Sequence, residues 1–99
     1  MNLRICDTDP RILTTDDVIE ASHVVVRPKC LPLRVVLRYL GENSGRSEYV
    51  VHTETLEVSR RPEDETKSIA LRHRSFEKGY YCTDKAKALV QLEERASRL

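Results

Sequence analysis

With 99 residues, the chain has room for one hydrophobic core and not for two. An apolar share of 39% and a charged share of 33% set it apart from disordered chains, and a net charge of +1 leaves no overall field to draw it onto nucleic acid or an anionic membrane. No apolar run has the length of a signal peptide or a membrane span, and three widely spaced cysteines do not make a disulfide framework, so a single reduced, cytoplasmic domain over residues 1–99 is expected.

Leu3 and Ile5 alternate with polar neighbours and predict a short strand, closed by the turn formers Asp7, Thr8, Asp9 and Pro10. Thr14 followed by Asp17 has the form of a capping box, and Asp16, Asp17 and Glu20 suit the first turns of a helix, which predicts a short N-terminal helix. That helix ends near Ser22 or His23, because Val24, Val25 and Val26 are β-branched and Pro28 bars helical geometry; residues 24–27 read as extended.

Pro32 opens a strand over 33–40, with Leu33, Val35, Leu37 and Tyr39 on one face, Arg34, Val36, Arg38 and Leu40 on the other, and one face in the core. Gly41 to Arg46 supplies reversal chemistry, and 48–56, extending toward Val58, completes a hairpin. Residues 60–65 carry no apolar side chain and read as an exposed loop. A further strand is expected over 68–76, then a turn at Glu77, Lys78 and Gly79, then a short return strand at Tyr80, Tyr81 and Cys82. Thr83 and Asp84 cap the one long helix, from Asp84 to about Arg98, whose Ala88, Leu89, Leu92, Ala96 and Leu99 form a stripe at helical spacing. The expected fold is α+β, a small antiparallel sheet of three to five strands with the C-terminal helix packed across one face.

Three histidines and three cysteines invite a metal site. Yet Cys6, His23, Cys30, His52, His73 and Cys82 offer no pair at the spacing that lets one turn present two ligands, and no metal or cofactor is expected. The Gly41-x-x-x-Gly45-Arg46-Ser47 run differs from a phosphate-binding loop in spacing, in its arginine and in the strand that follows. The acid pairs Asp16-Asp17 and Glu93-Glu94 and the triplet Glu63-Asp64-Glu65 read as solvated groups. Cys82, just before a helix, is the one candidate nucleophile, and it needs His52 or His73 beside it as a base. No enzyme is expected.

Charge comes in blocks. Residues 1–23 carry two cations against five anions, 24–46 five against one, 47–66 two against six, and 67–79 four against one. Arg34, Arg38, Arg72 and Arg74 fall in the two basic strands; on one shared surface they would form a phosphate-binding face, with Tyr39, His73 or Phe76 to stack on bases. Their other reading is as partners of Glu48, Glu54 and Glu57 across the sheet. The functional expectation is a small non-enzymatic protein-interaction module, a regulator, adaptor or inhibitor, working through its sheet face, a sheet edge or the acidic loop at 62–66, with homodimerisation by strand pairing as a variant. The alternative is nucleic-acid binding through the four arginines.

Overall fold

The C-terminal stripe forms the helix its spacing predicts. In the computed structural model, which describes residues 3–5, 11–41, 48–59 and 70–99, helix α1 spans Lys85–Ser97. The Asp84 carboxylate accepts from the Ala86 N–H at 2.9 Å and so satisfies one donor that a first helical turn leaves open. Ala88 and Leu92 are buried against the sheet, and Leu89, Ala96 and Leu99 pack around them.

The sheet is larger than the three to five strands expected, and it is mixed. Seven strands are described: β1 Leu3–Ile5, β2 Ile12–Thr15, β3 Val18–Ala21, β4 Leu33–Tyr39, β5 Tyr49–Val58, β6 Leu71–Phe76 and β7 Tyr80–Cys82. Their order is β1-β2-β6-β5-β4-β3, with β7 also beside β5. Every pairing is antiparallel except β2 with β6, which is parallel.

The predicted hairpin is β4 with β5, in register from Leu33↔Thr55 to Tyr39↔Tyr49. Val35, Leu37 and Val51 meet α1, and this is the expected core face. The opposite face is not solvated. Arg34 and Val36 alternate with the core residues and are equally buried, because the sheet curls over them. The curl has a simple cause: β2 and β3 are separated only by Asp16 and Asp17, yet they lie on opposite flanks of β6, β5 and β4.

Two strands, β2 and β3, joined by the turn at Asp16 and Asp17 but not paired with each other, replace the short helix expected after Thr14. Ile12, Thr14, Thr15, Val18 and Ile19 are β-branched and suit a pleated surface better than a helical one. The supposed capping pair is used differently, with the Thr14 hydroxyl donating to Glu54 Oε2 at 2.6 Å and Asp17 Oδ1 accepting from the Thr15 hydroxyl at 2.7 Å across the turn. Arg4 on β1 fastens the same turn, donating from Nε to Asp16 O and from Nη2 to Val18 O, at 3.1 and 2.9 Å. The extended reading of 24–27 holds at Val25, which bridges Leu33.

Gly79 does not turn the chain back. The register runs from Glu54↔Phe76 to Val51↔Tyr80, so β7 continues along β5 in the direction of β6, with three residues opposite two. This is a β-bulge, and glycine is required there by close approach: a Cβ at Gly79 would lie 2.6 Å from both His52 Cε1 and Val50 Cγ2. Arg95 of α1 fixes the bulge from the other side, donating from Nη1 to Lys78 O at 3.1 Å. Most of the reversal at 41–46, the loop at 60–65, the acidic stretch at 62–66 and the start of the strand expected from residue 68 lie outside the described residues.

Candidate functional site

The curled face encloses a set of charged groups that occupy positions alternating with the apolar core. Arg34 and Glu54 are direct cross-strand partners, and Arg34 Nε donates to Glu54 Oε1 at 2.7 Å. Their side chains are 1% and 0% exposed. The Thr14 hydroxyl donates to the other oxygen, Oε2, at 2.6 Å, and His73 Nδ1 lies 2.7 Å from the same oxygen. A carboxylate only accepts, so Nδ1 of His73 carries the proton. Burial pushes the Glu54 carboxyl up, but the bond from His73, the charge of Arg34 and the bond from Thr14 together outweigh it and hold it below the ordinary 4.5.

A second cluster lies further along the same face. Arg38 donates from Nε and Nη2 to Asp17 Oδ2, at 2.9 and 2.6 Å, and its Nη1 lies 3.1 Å from His52 Nε2. A guanidinium only donates, so His52 Nε2 must accept. The His52 proton therefore sits on Nδ1, which donates to Glu77 O at 2.7 Å on the bulge. Phe76 joins the two clusters. Its ring stacks on His52 at 4.7 Å, tilts against His73 at 4.4 Å, and takes the Arg38 guanidinium 4.6 Å from its centroid.

The histidine and both acids share one pH response. Desolvation, opposed by the Glu77 carbonyl and reinforced by Arg38, lowers His52 from the ordinary 6.5. Asp17 is raised by burial, yet it is lowered overall from 3.8 by the Arg38 hydrogen bond, the Thr15 hydroxyl and the Arg38 charge. A group whose folded pKa is depressed contributes stability above its unfolded pKa and loses it as pH falls through the folded value. Urea unfolding midpoints should therefore hold steady above His52's ordinary 6.5 and fall on acidification, first through His52 and then, below 4.5, through Glu54 and Asp17. A midpoint that rises between neutral pH and pH of about 5 would contradict this assignment.

The four arginines singled out from the sequence are placed as follows. Arg34 and Arg38 lie on the inner face with Glu54 and Asp17. Arg72, on the opposite face from His73, pairs with Glu57, with Nε 3.9 Å from Oε1 and both side chains well exposed. Arg74 is exposed at a second register shift, between Ser75 and His73. Since β5 separates β4 from β6 and Arg72 turns away, the four do not converge. Pairing with Glu54 and Glu57 is as the cross-strand reading has it, whereas Asp17 as the partner of Arg38 depends on the unforeseen turn between β2 and β3.

Cys82 packs against the α1-side core cluster to which Val35, Leu37 and Ala88 belong, and its thiol donates to Asp84 O at 3.4 Å. His52 and His73 lie on the other face, so the sheet stands between the thiol and either imidazole. Among the described residues, no group of three or more His, Cys, Asp or Glu side chains is disposed to hold a metal ion. Nor is any described helix long and apolar enough to cross a membrane.

The sequence named a sheet edge as a working surface without placing it, and the described residues leave one such edge open. β2 pairs with β6 only at Leu71 and Arg72, and among the described residues no strand pairs with the outer edge of β6 and β7 from Arg74 to Cys82. Tyr80 and Tyr81 stand on this edge, 36% and 59% exposed. No family model matches the chain, and neither a curated protein nor a solved structure is similar enough to count as a relative.

Proposed function

We propose that the chain is a small non-enzymatic protein-interaction module, a regulator, adaptor or inhibitor, which takes up an extended segment of a partner protein along β6 and β7. The open edge carries the proposal. Strand backbone that no described strand pairs with offers main-chain hydrogen bonds to an added strand, and two exposed tyrosines beside it supply rigid, amphipathic contact area of the kind interfaces favour. Engagement of Arg34, Arg38 and Arg72 with carboxylates supports a protein partner over nucleic acid, because a phosphate would have to compete with those ion pairs.

The test places a photo-crosslinking residue at Tyr81 and, separately, at the exposed Glu93 on α1, in cells that make the protein. One partner captured from position 81 and not from 93 is the expected result. Equal capture from both positions, or capture of the chain's own second copy alone, overturns a dedicated edge for another protein. Fluorescence anisotropy with single-stranded RNA and duplex DNA should show no binding tighter than the ordinary non-specific range of roughly 1–100 μM at physiological salt; tighter binding with a steep salt slope would instead favour nucleic acid.

A further inference from the structure

We propose that His52 is a pH-sensitive latch for the far end of the sheet: uncharged, it holds residues 77–82 onto β5, and a proton on its ring releases them. His52 is 6% exposed, and its ring is where β4, β6, β7 and the bulge meet. Nε2 accepts from Arg38 Nη1 of β4 at 3.1 Å, and Nδ1 donates to Glu77 O on the bulge at 2.7 Å. Phe76 of β6 stacks on the ring at 4.7 Å, and Tyr81 of β7 meets it edge-on at 6.3 Å. Gly79 fits beside it only because it has no Cβ.

A second proton has one place to go. Nδ1 already carries its hydrogen, so protonation puts an N–H on Nε2, facing the Arg38 N–H from which that nitrogen now accepts. A hydrogen bond becomes a contact between two donors and two like charges. Arg38 does not retreat, because its Nε and Nη2 hold Asp17 Oδ2 at 2.9 and 2.6 Å and its guanidinium lies 4.6 Å from the Phe76 centroid. The ring moves instead. Its bond to Glu77 O strengthens with the charge, so the bulge moves with it, and Gly79 and β7 follow.

Among the described residues, the charges that face His52 are Arg38 from β4, Arg95 from α1 and Asp17 from the turn between β2 and β3. The other titratable side chains around it are Tyr81, His73, which reaches it through Phe76, and Glu77 and Lys78, whose side chains are exposed. Burial opposes the proton most and the two arginines oppose it further, while the Glu77 carbonyl and Asp17 favour it; the balance holds His52 below the ordinary 6.5. A group depressed in this way stabilises the latched form fully above its unfolded value and loses that contribution as pH falls, so release sets in below 6.5.

β7 is the part that yields. It has three residues, and among the described residues it pairs with β5 alone, whereas β4 is paired on both sides, with β3 and β5. Its edge carries Tyr80 and Tyr81, so release also dissolves the surface assigned above to a partner. That consequence rests on the edge reading; the latch itself does not.

The test is amide hydrogen exchange of the ¹⁵N-labelled full chain, with no partner present, from pH of about 7.5 to about 5. Protection of the β7 amides that bond β5, each scaled to an unstructured peptide at the same pH, should lie below that of Val35 and Leu37 throughout. It should also fall by up to about tenfold per pH unit below 6.5, the limit for uptake of one proton. The His52 ring nitrogens should report Nδ1–H at neutral pH and titrate over the same range. His52→Gln, whose amide can accept from Arg38 and donate to Glu77 O without titrating, should remove the pH dependence at residues 80–82. Protection there that is constant across the range, that matches Val35 and Leu37 at every pH, or that keeps its full pH dependence in His52→Gln would overturn the latch. Should the variant not fold, the wild-type titration decides alone. Photo-crosslinking at position 81 tests the edge reading separately, so either can fail without the other.

Discussion

Glu54→Gln is expected to lower the free energy of unfolding by about 3–5 kcal/mol, the range for removing one member of a buried ion pair. The substitution keeps size and shape but takes away the negative charge opposite a guanidinium that is 1% exposed. It also replaces one acceptor oxygen by an NH2 donor, so the remaining carbonyl oxygen can serve Thr14 and His73, which share Oε2, or Arg34 on Oε1, but not all three. Against a total stability of about 5–15 kcal/mol for an ordinary domain, this is enough to unfold a large fraction of the protein. Arg34→Met combined with Glu54→Leu should be markedly less damaging than Glu54→Gln alone, because apolar side chains of similar volume need no compensation. Urea unfolding of the three proteins decides the matter. A loss below about 1 kcal/mol for Glu54→Gln would mean that the cluster behaves like a solvated pair.

Gly79→Ala should cost about 1–3 kcal/mol or more through overpacking. The new methyl would meet His52 Cε1 and Val50 Cγ2 at 2.6 Å and His52 Nδ1 at 2.8 Å. His52 cannot swing clear cheaply, because Arg38 holds one ring nitrogen and Glu77 O the other. The backbone must therefore move, and with it the bulge that Arg95 fastens to α1. Spectral changes should centre on residues 50–53 and 77–82. A variant of wild-type stability would show that the two strands separate more easily than their packing implies.

What could be read from the sequence was what local periodicity encodes. The stripe of Ala88 and Leu92, the cap at Asp84 and the hairpin of β4 and β5 each depend on neighbours in the chain. The N-terminal third was misread because Thr14 and Asp17 have capping-box spacing, and the β-branched residues around them outweigh that motif only once Ile12 and Val18 have a sheet to enter. The site was hidden for a related reason. In an isolated strand, an arginine alternating with Val and Leu reads as the wet face, and nothing local to Arg34 or Arg38 says that residues 12–21 will curl over them. Glu54 was visible as a cross-strand partner, but its burial was not. Glu77-Lys78-Gly79 is compatible with a turn or a bulge, and only the register with β5 separates the two.

Because β2 and β3 flank the sheet on opposite sides, the order of synthesis runs against the order of assembly. The N-terminal strands leave the ribosome first, but β2 has no β6 to pair with until Leu71 and Arg72 have been made. β3 waits for β4, and Thr14 waits for Glu54. Ile12 therefore has only β1 beside its strand until β6 is made, and Val18 has no partner strand until β4 is, so closure of long loops precedes most of their burial. For this chain β2 is the strand left longest without its full set of neighbours, and synthesis through β6, rather than the emergence of β2 itself, is the event that lets the sheet close around Glu54.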